Sequence, residues 1–326
     1  MKKLLLATAV AALSVSAAQA APTVYGKVFL SVDVTDSDIT DSTDVELNST
    51  ASRIGLKGSG ALTANTDVIY QLEYEVNPDQ ENAKQFESRD TYIGFANSTA
   101  GTFKFGRNSS VTDRINNVQQ AFGGIQGTVS GIADGNRVDN SLLWTAPAAA
   151  NLPVVVNLMA STEEDYGDAG YGASVMFDQD AGYTLALAYT DKLDNDAEVL
   201  RATGSYDMAK TMGVPLALGV MYQQAELDVA NTAFNSSKEK ELMLTAAYGI
   251  ANTPWTVWAE FDQAKDWAGQ NDAKITKIAV GGRYAFNQAA TGHIYAGNSD
   301  LDNVFVDGAF QNGDELMVGT GIEYKF

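Results

Sequence analysis

The chain has 326 residues, no cysteine, one histidine, and 41 Asp+Glu against 21 Lys+Arg, a net charge of -20. Without cysteine, disulfide staples and zinc–thiolate sites are excluded, and a lone histidine leaves little stock for metal or acid–base chemistry. So acidic a surface also excludes nucleic acid, because affinity for phosphates is built from clustered Lys and Arg.

Residues 1–20, MKKLLLATAVAALSVSAAQA, open with Lys2 and Lys3, run through an apolar stretch from Leu4 to Leu13, and close on Ala18-Gln19-Ala20. This is the layout of a secretory signal cleaved before Ala21. Ser14, Ser16 and Gln19 interrupt the run well short of the about 20 apolar residues that an anchor needs. Cleavage would leave 19 Lys+Arg against 41 Asp+Glu over 306 residues, a net charge of -22. From Tyr25 to Phe326 no linker breaks the texture, so residues 21–326 are expected to form one domain.

Along that domain, apolar residues alternate with polar or small ones. Val24, Val28, Leu30, Val32 and Val34 alternate with Lys27, Ser31 and Asp33, and Val68, Tyr70, Leu72, Tyr74 and Val76 with Gln71, Glu73 and Glu75. The pattern returns at Tyr183, Leu185, Leu187 and Tyr189, at Leu216 to Tyr222, and at Leu242 to Tyr248. Each stretch reads as a strand with one apolar face. The expected strands are 23–35, 51–58, 66–77, 89–97, 101–108, 137–147, 152–162, 170–178, 182–190, 198–208, 214–226, 240–250, 254–264, 274–286, 291–298 and 315–326. Short connections (97–101, 178–182, 251–254) take turns with long polar ones (36–50, 228–240, 299–315), as in an antiparallel meander whose two ends differ.

Roughly sixteen strands, an even number, fit an all-β, antiparallel, transmembrane up-and-down β-barrel. So wide a ring cannot fill its centre with side chains, so its apolar stripes must face lipid and its lumen water. Tyr25, Tyr92, Trp144, Tyr206, Tyr248, Trp255, Tyr284 and Tyr324, near strand ends, suit the headgroup boundary. The terminal GIEYKF would close the ring against the first strand, leaving no edge unpaired in hydrocarbon and setting Phe326 in the inner aromatic girdle.

The segments VYGKVFLSVD, SRIGLKGSGALTANTDVIYQLEYEV, RDTYIGFANSTAGTFKFGRN and GIEYKF, in that order, resemble the trimeric general porins of Gram-negative outer membranes. The resemblance covers the whole mature chain. It implies a 16-stranded barrel, a homotrimer, and a third loop folded inward as a constriction. That loop would be residues 109–136, where Phe122-Gly123-Gly124 matches the FGG core of the enterobacterial porins. Where that subgroup has PEFGGD this chain has QAFGGI, so Ala121 and Ile125 stand in place of carboxylates, and Asp113 and Asp134 are the nearest replacements. Opposite the loop, the family's basic wall maps onto Lys27, Arg53, Arg89 and Arg137. Parity agrees for three of these: with Val28, Ile54, Leu56, Val138 and Leu142 facing lipid, Lys27, Arg53 and Arg137 point inward. Arg89 shares a face with Ile93 and Phe95. Arg201 and Arg283 also fall on inward positions.

The expected function is passive diffusion of small hydrophilic solutes and ions through a water-filled channel, with no enzymatic activity, cofactor or metal. Asp36, Asp38, Asp41 and Asp44 would make an acidic mouth, while the arginine wall opposes it, so weak ion selectivity is expected. Expected partners are further copies of the chain, lipopolysaccharide and outer-membrane lipid, and the barrel-assembly machinery acting on the C-terminal strand. Two alternatives stay open: a substrate-specific channel, for which Trp258 is one of few inward aromatics, and a barrel hydrolase using His293.

Overall fold

The computed structural model describes residues 21–78, 86–115, 118–133, 137–148, 152–162, 169–179, 182–194, 197–227, 238–306 and 308–326. The expected export signal, residues 1–20, and Asp134 lie outside the described residues.

Strands form wherever the sequence offers one face to hydrocarbon and the other to water. In chain order they are β1 (Thr23–Ser37), β2 (Ser42–Ser49), β3 (Arg53–Thr63), β4 (Thr66–Val76), β5 (Phe86–Asn97), β6 (Gly101–Ser109), β7 (Arg137–Thr145), β8 (Val154–Ser161) and β9 (Tyr171–Gln179). There follow β10 (Tyr183–Asp194), β11 (Ala197–Asp207), a one-turn helix α1 (Met208–Met212), β12 (Leu216–Leu227), β13 (Glu239–Gly249), β14 (Trp255–Lys265), β15 (Lys274–Ala285), β16 (Ala290–Val306) and β17 (Ala309–Lys325). Each pairs antiparallel with its neighbour, and β17 returns to β1 to close the sheet.

Seventeen stretches make sixteen staves because β2 and β3 are one stave with a break. The upper half of β1 pairs with β2 (Val34↔Val45) and the lower half with β3 (Tyr25↔Gly55). At the break Ala51 has φ 50°, and the Ser52 hydroxyl stands in for the missing ladder bonds, accepting from Phe29 N (2.9 Å) and donating to Phe29 O (3.2 Å). The backbone groups of Phe29 thus stay satisfied, as burial demands.

Burial is inverted relative to a water-soluble protein. Leu185 is 59% exposed while Arg201 is 0%, and Val28, Val32, Leu218, Val220, Leu244 and Ile294 are all exposed while Asp33, Glu241, Glu260 and Asp262 are buried. The exposed aliphatic stripes form a belt around the outside, which in water would be a large unpaid apolar surface. At the short-turn end Trp255, Tyr284 and Phe286 pack edge to face, with centroids 5.1 and 4.8 Å apart. Tyr25 and Tyr92 do not join such a girdle. Their hydroxyls turn to the inner face, donating to Glu73 (2.9 Å) and Gln71 (3.4 Å).

The ring closes through the last residue. Phe326 N donates to Gly26 O (3.1 Å) and Gly26 N to Phe326 O (2.9 Å). The Phe326 ring lies where a Cβ on residue 26 would be, so only glycine fits there.

Three further expectations are corrected. Residues 36–50 are not one polar connection, since β1 runs to Ser37 and β2 occupies Ser42–Ser49, with Val45 and Leu47 opposite Val34 and Val32. Residues 299–315 are likewise a paired hairpin, turning at Gly308 (φ 85°), with Phe305 and Phe310 in contact at 5.1 Å. Val138 faces inward, packed with Val111, Leu143 and Met159, because β7 carries an extra residue between Val138 and Ser141, where Asn140 has φ 47°, against a single residue between Gly106 and Asn108 on β6.

Candidate functional site

The four predicted wall cations come from β1, β3, β5 and β7, and each stands beside a carboxylate. Lys27 Nζ is 3.6 Å from Glu323, and Arg53 Nε is 3.9 Å from Glu73. Arg89, whose orientation parity left open, faces inward and bridges Glu73 (2.8 Å) and Glu75 (2.5 Å). Arg137 Nε donates to Asp90 at 3.0 Å, and Asp90 also accepts from the Ser109 hydroxyl at 2.9 Å. Glu73 is the hub, taking Arg53, Arg89 and the Tyr25 hydroxyl. This wall is therefore an alternation of opposite charges, half-buried and mutually compensated.

The segment that follows β6 lies against the polar face of the other wall, β10 to β17 with β1. Its apolar side chains Val111, Ile115, Val118, Ala121, Ile125 and Ile132 are buried. Its backbone is held by side chains of the strands. Thr203 and Thr245 hydroxyls donate to Ile115 O (2.9 Å) and Val118 O (2.7 Å). Glu260 accepts from Gln120 N (2.8 Å) and Ala121 N (3.0 Å), Asp262 from Val129 N (3.0 Å), and Glu239 from Gly131 N (2.9 Å) and the Ser130 hydroxyl. Lys277 ties both partners together, donating to Ile125 O and Gly127 O while 3.1 Å from Glu260.

This packing explains the departure from the resembled motif. Ala121 and Ile125 face Trp258, Ala279 and Tyr295 rather than water, so carboxylates there would be buried without partners. Gly123 has φ 69°, and a Cβ on it would overlap the Tyr295 hydroxyl. That hydroxyl accepts from Gly124 N at 3.2 Å and donates to Asp33. Phe122 stacks on His293 (5.0 Å), which stacks on Phe29 (4.8 Å), and the Arg283 guanidinium sits 5.0 Å above the Phe122 ring.

Asp113 lies in a short 3₁₀ turn, Asp113–Ile115, at the root of this segment. Burial pushes its carboxyl above the usual range, opposed by a hydrogen bond from Ser109 and by the charges of Arg137 and Arg201. Beside it, burial lowers Arg114, against the pull of Asp90 and Asp113. Arg201 is wholly buried, donating to Gln223 (2.6 Å), Ala133 O (3.2 Å) and Thr112 O (3.5 Å), and Arg283 donates to Gln120 (2.8 Å). Sequence reasoning noticed these two arginines but missed Glu239, Glu260, Asp262, Lys277 and Tyr295. Their one sequence signal was inward parity of acids on a face expected to meet water.

The alternatives find no machinery. His293 is clamped between two phenyl rings, with no hydrogen-bond partner for either nitrogen among the described residues, so no serine is engaged by it. Trp258 is 4% exposed beneath Ala121 and Ile125, and lines no open path. Among the described residues no cluster of three or more His, Asp or Glu is arranged to hold a metal ion.

The sequence matches the Gram-negative porin family over residues 7–303. The chain belongs to the Gram-negative porin family. It is thus a non-enzymatic outer-membrane channel for passive diffusion. Among curated proteins none matches. Solved structures share the porin fold at low identity. An anion-selective porin from Comamonas acidovorans is similar at 18% identity and TM-score 0.76, over 94% of this chain and 99% of that one. Outer-membrane expressed OmpT of Vibrio cholerae is similar at 18% and 0.71, over 95% and 99%. Salmonella typhi OmpF, in complex with daunomycin, is similar at 19% and 0.71, over 94% and 97%.

Proposed function

We propose that this porin is a weakly selective general diffusion pore whose constriction is bounded by residues 110–133 on one side and by Lys27, Arg53, Arg89 and Arg137 on the other. One observation carries the reading: every one of those four cations has a carboxylate within ion-pair distance on the same face. Alternating charges with little net sign give a transverse field across the gap. Dipolar solutes align in it, whereas an apolar solute must displace ordered water without recompense. Asp113 stands at the root of the loop, and Phe122-Gly123-Gly124 sets its bend. The acidic mouth at Asp36, Asp38, Asp41 and Asp44 concentrates cations, but its field is damped beyond about 8–10 Å in physiological salt.

Reversal potentials in a salt gradient across a planar bilayer test this. Near-zero selectivity that shifts toward cations in Arg53→Ala and Arg137→Ala is expected, and strong cation preference indifferent to both changes rejects the reading. We assign a homotrimeric assembly to the same reading, with conductance rising in steps of three. Vibrio cholerae OmpT, a fold neighbour, has been described in a trimer form. Lipopolysaccharide as the surrounding outer-leaflet lipid, and engagement of the C-terminal strand by the barrel-assembly machinery, complete the expected partners. Deletion of Phe326 would leave the machinery's signal and the last ladder bonds missing together, and unassembled protein should accumulate in the periplasm.

A further inference from the structure

The outer surface at the long-loop end carries a charge arrangement unrelated to the lumen. In the register of β13, β14 and β15, Lys240 lies directly opposite Lys265, and Lys265 directly opposite Lys274. All three point outward. Glu239, Glu241, Ala264 and Lys277 occupy the buried inner face, and Leu242, Leu244 and Ile278 share the outer face with the lysines. Directly opposed residues have Cβ atoms about 4.5–5.5 Å apart, and like charges there repel. A chain with 41 acidic against 21 basic residues has no compositional reason to line up three lysines.

Their neighbours compensate only the margins. Lys274 has Asp302 at 3.2 Å, and Lys238, one step above, has Glu226 at 3.1 Å. Lys240 and Lys265, both exposed, have no carboxylate within ion-pair distance among the described residues. The row therefore keeps a net positive charge.

Polarity falls away quickly toward the membrane. Next below on this face stand Leu242, Gln263 and Thr276, where Gln263 donates to Thr276 at 2.9 Å. Below them Leu244, Phe261 and Ile278 stand side by side in the apolar belt. Four residues at about 3.4 Å put the lysine row roughly 13 Å up the strands from that apolar row, about 10 Å in height at a barrel tilt of about 35–45°, and the long side chains reach on to headgroup height.

We infer that Lys240, Lys265 and Lys274 form a docking row for the phosphate-bearing headgroup of an outer-leaflet lipid, whose acyl chains descend over Leu242, Leu244 and Ile278. The inference rests on the outer-membrane barrel and not on the pore reading. A free anion would need only the lysines, whereas the apolar belt directly beneath them fits a ligand with a tail. Phosphate supplies the missing counter-charge to Lys240 and Lys265, and each lysine near an anionic surface contributes about fivefold in affinity.

The test is native mass spectrometry of the full chain in detergent, titrated with bisphosphorylated lipid A and with the same lipid stripped of phosphate. The expected result is that the triple variant Lys240→Gln, Lys265→Gln, Lys274→Gln holds the phosphorylated lipid about tenfold or more weakly. The corresponding triple arginine variant should keep wild-type retention, and the dephosphorylated lipid should bind both proteins alike. Equal retention of phosphorylated lipid A by wild type and the glutamine variant overturns the inference, as does its full displacement by millimolar inorganic phosphate. Bilayer conductance of the same preparations reads the pore separately: a wild type that binds lipid but never conducts sinks the diffusion reading and leaves the lysine row standing.

Discussion

The two halves of the inner wall use the same strand chemistry for opposite ends. On β1, β3, β5 and β7, carboxylates meet cationic side chains across the face, as Glu73 does with Arg53 and Arg89. On β13 and β14, Glu239, Glu260 and Asp262 are buried and spend their oxygens on backbone amides of residues 120–131. A carboxylate in the first half pairs with a cation on the wall, and one in the second half fixes a loop. The difference is the partner: Glu73, 10% exposed at its side chain, meets guanidinium groups, whereas Glu260, at 0%, meets backbone amides. Paired charges beside water contribute little to stability, whereas a buried charge stripped of its partner is costly.

The largest expected effect breaks the buried half. Glu260→Ala leaves Gln120 N and Ala121 N without their acceptor and Lys277 without its nearest carboxylate, at a cost of about 3–5 kcal/mol. Protease should then cut within residues 110–133 and single-channel current should become noisy, and a quiet, resistant variant would show that the loop is held elsewhere. Gly123→Val comes next, at about 1–3 kcal/mol, because it forces a positive φ on a branched residue and displaces Tyr295. The same two readouts check it, with a smaller response.

In the first half, Arg89→Gln should cost about 1–3 kcal/mol, because Arg89 and Glu73 are only 12% and 10% exposed at their side chains while Arg53 and the Tyr25 hydroxyl remain to compensate Glu73. It leaves Glu73 and Glu75 with excess negative charge, so reversal potentials should shift clearly toward cations while the melting temperature in detergent falls. The smallest effect lies at Asp113, between the halves. Its carboxyl is held above the usual range by burial, so the folded form binds the proton more tightly than the unfolded chain does. That contribution is complete below the ordinary carboxylate range and is lost as pH rises through the elevated value. Wild type should therefore gain slightly in stability on acidification relative to Asp113→Asn, measured as the difference between their melting temperatures across that window.

Legibility in the sequence followed the solvent on each side of a strand. Where lipid lay on one side and water on the other, alternation was plain, and Val28, Lys27, Leu185 and Arg201 took the faces that parity predicts. Ser42–Ser49 and the hairpin around Gly308 stayed hidden because their many Asp, Asn and Ser residues dilute the apolar stripe, leaving a pattern like that of a loop. The bulge in β7 just after Val138 was invisible for another reason: it shifts parity by one residue without changing composition. At the site, Phe122-Gly123-Gly124 and the four wall cations came from the resemblance; parity agreed for Lys27 and Arg53, left Arg89 open, and was undercut at Arg137 by the bulge beside Val138. The carboxylates that seat the loop could not be found, because Glu260 meets Gln120 across 140 residues of chain, and no local pattern encodes which inward acid turns to a distant amide.

The reciprocal bonds between Gly26 and Phe326 join the first stave of the barrel to the last. Synthesis makes β1 first and β17 last of the strands, so the seam has no second lip until β17 has been made. The cylinder cannot shut before then, and the unclosed polypeptide keeps its oily stripes in need of a chaperone's shelter.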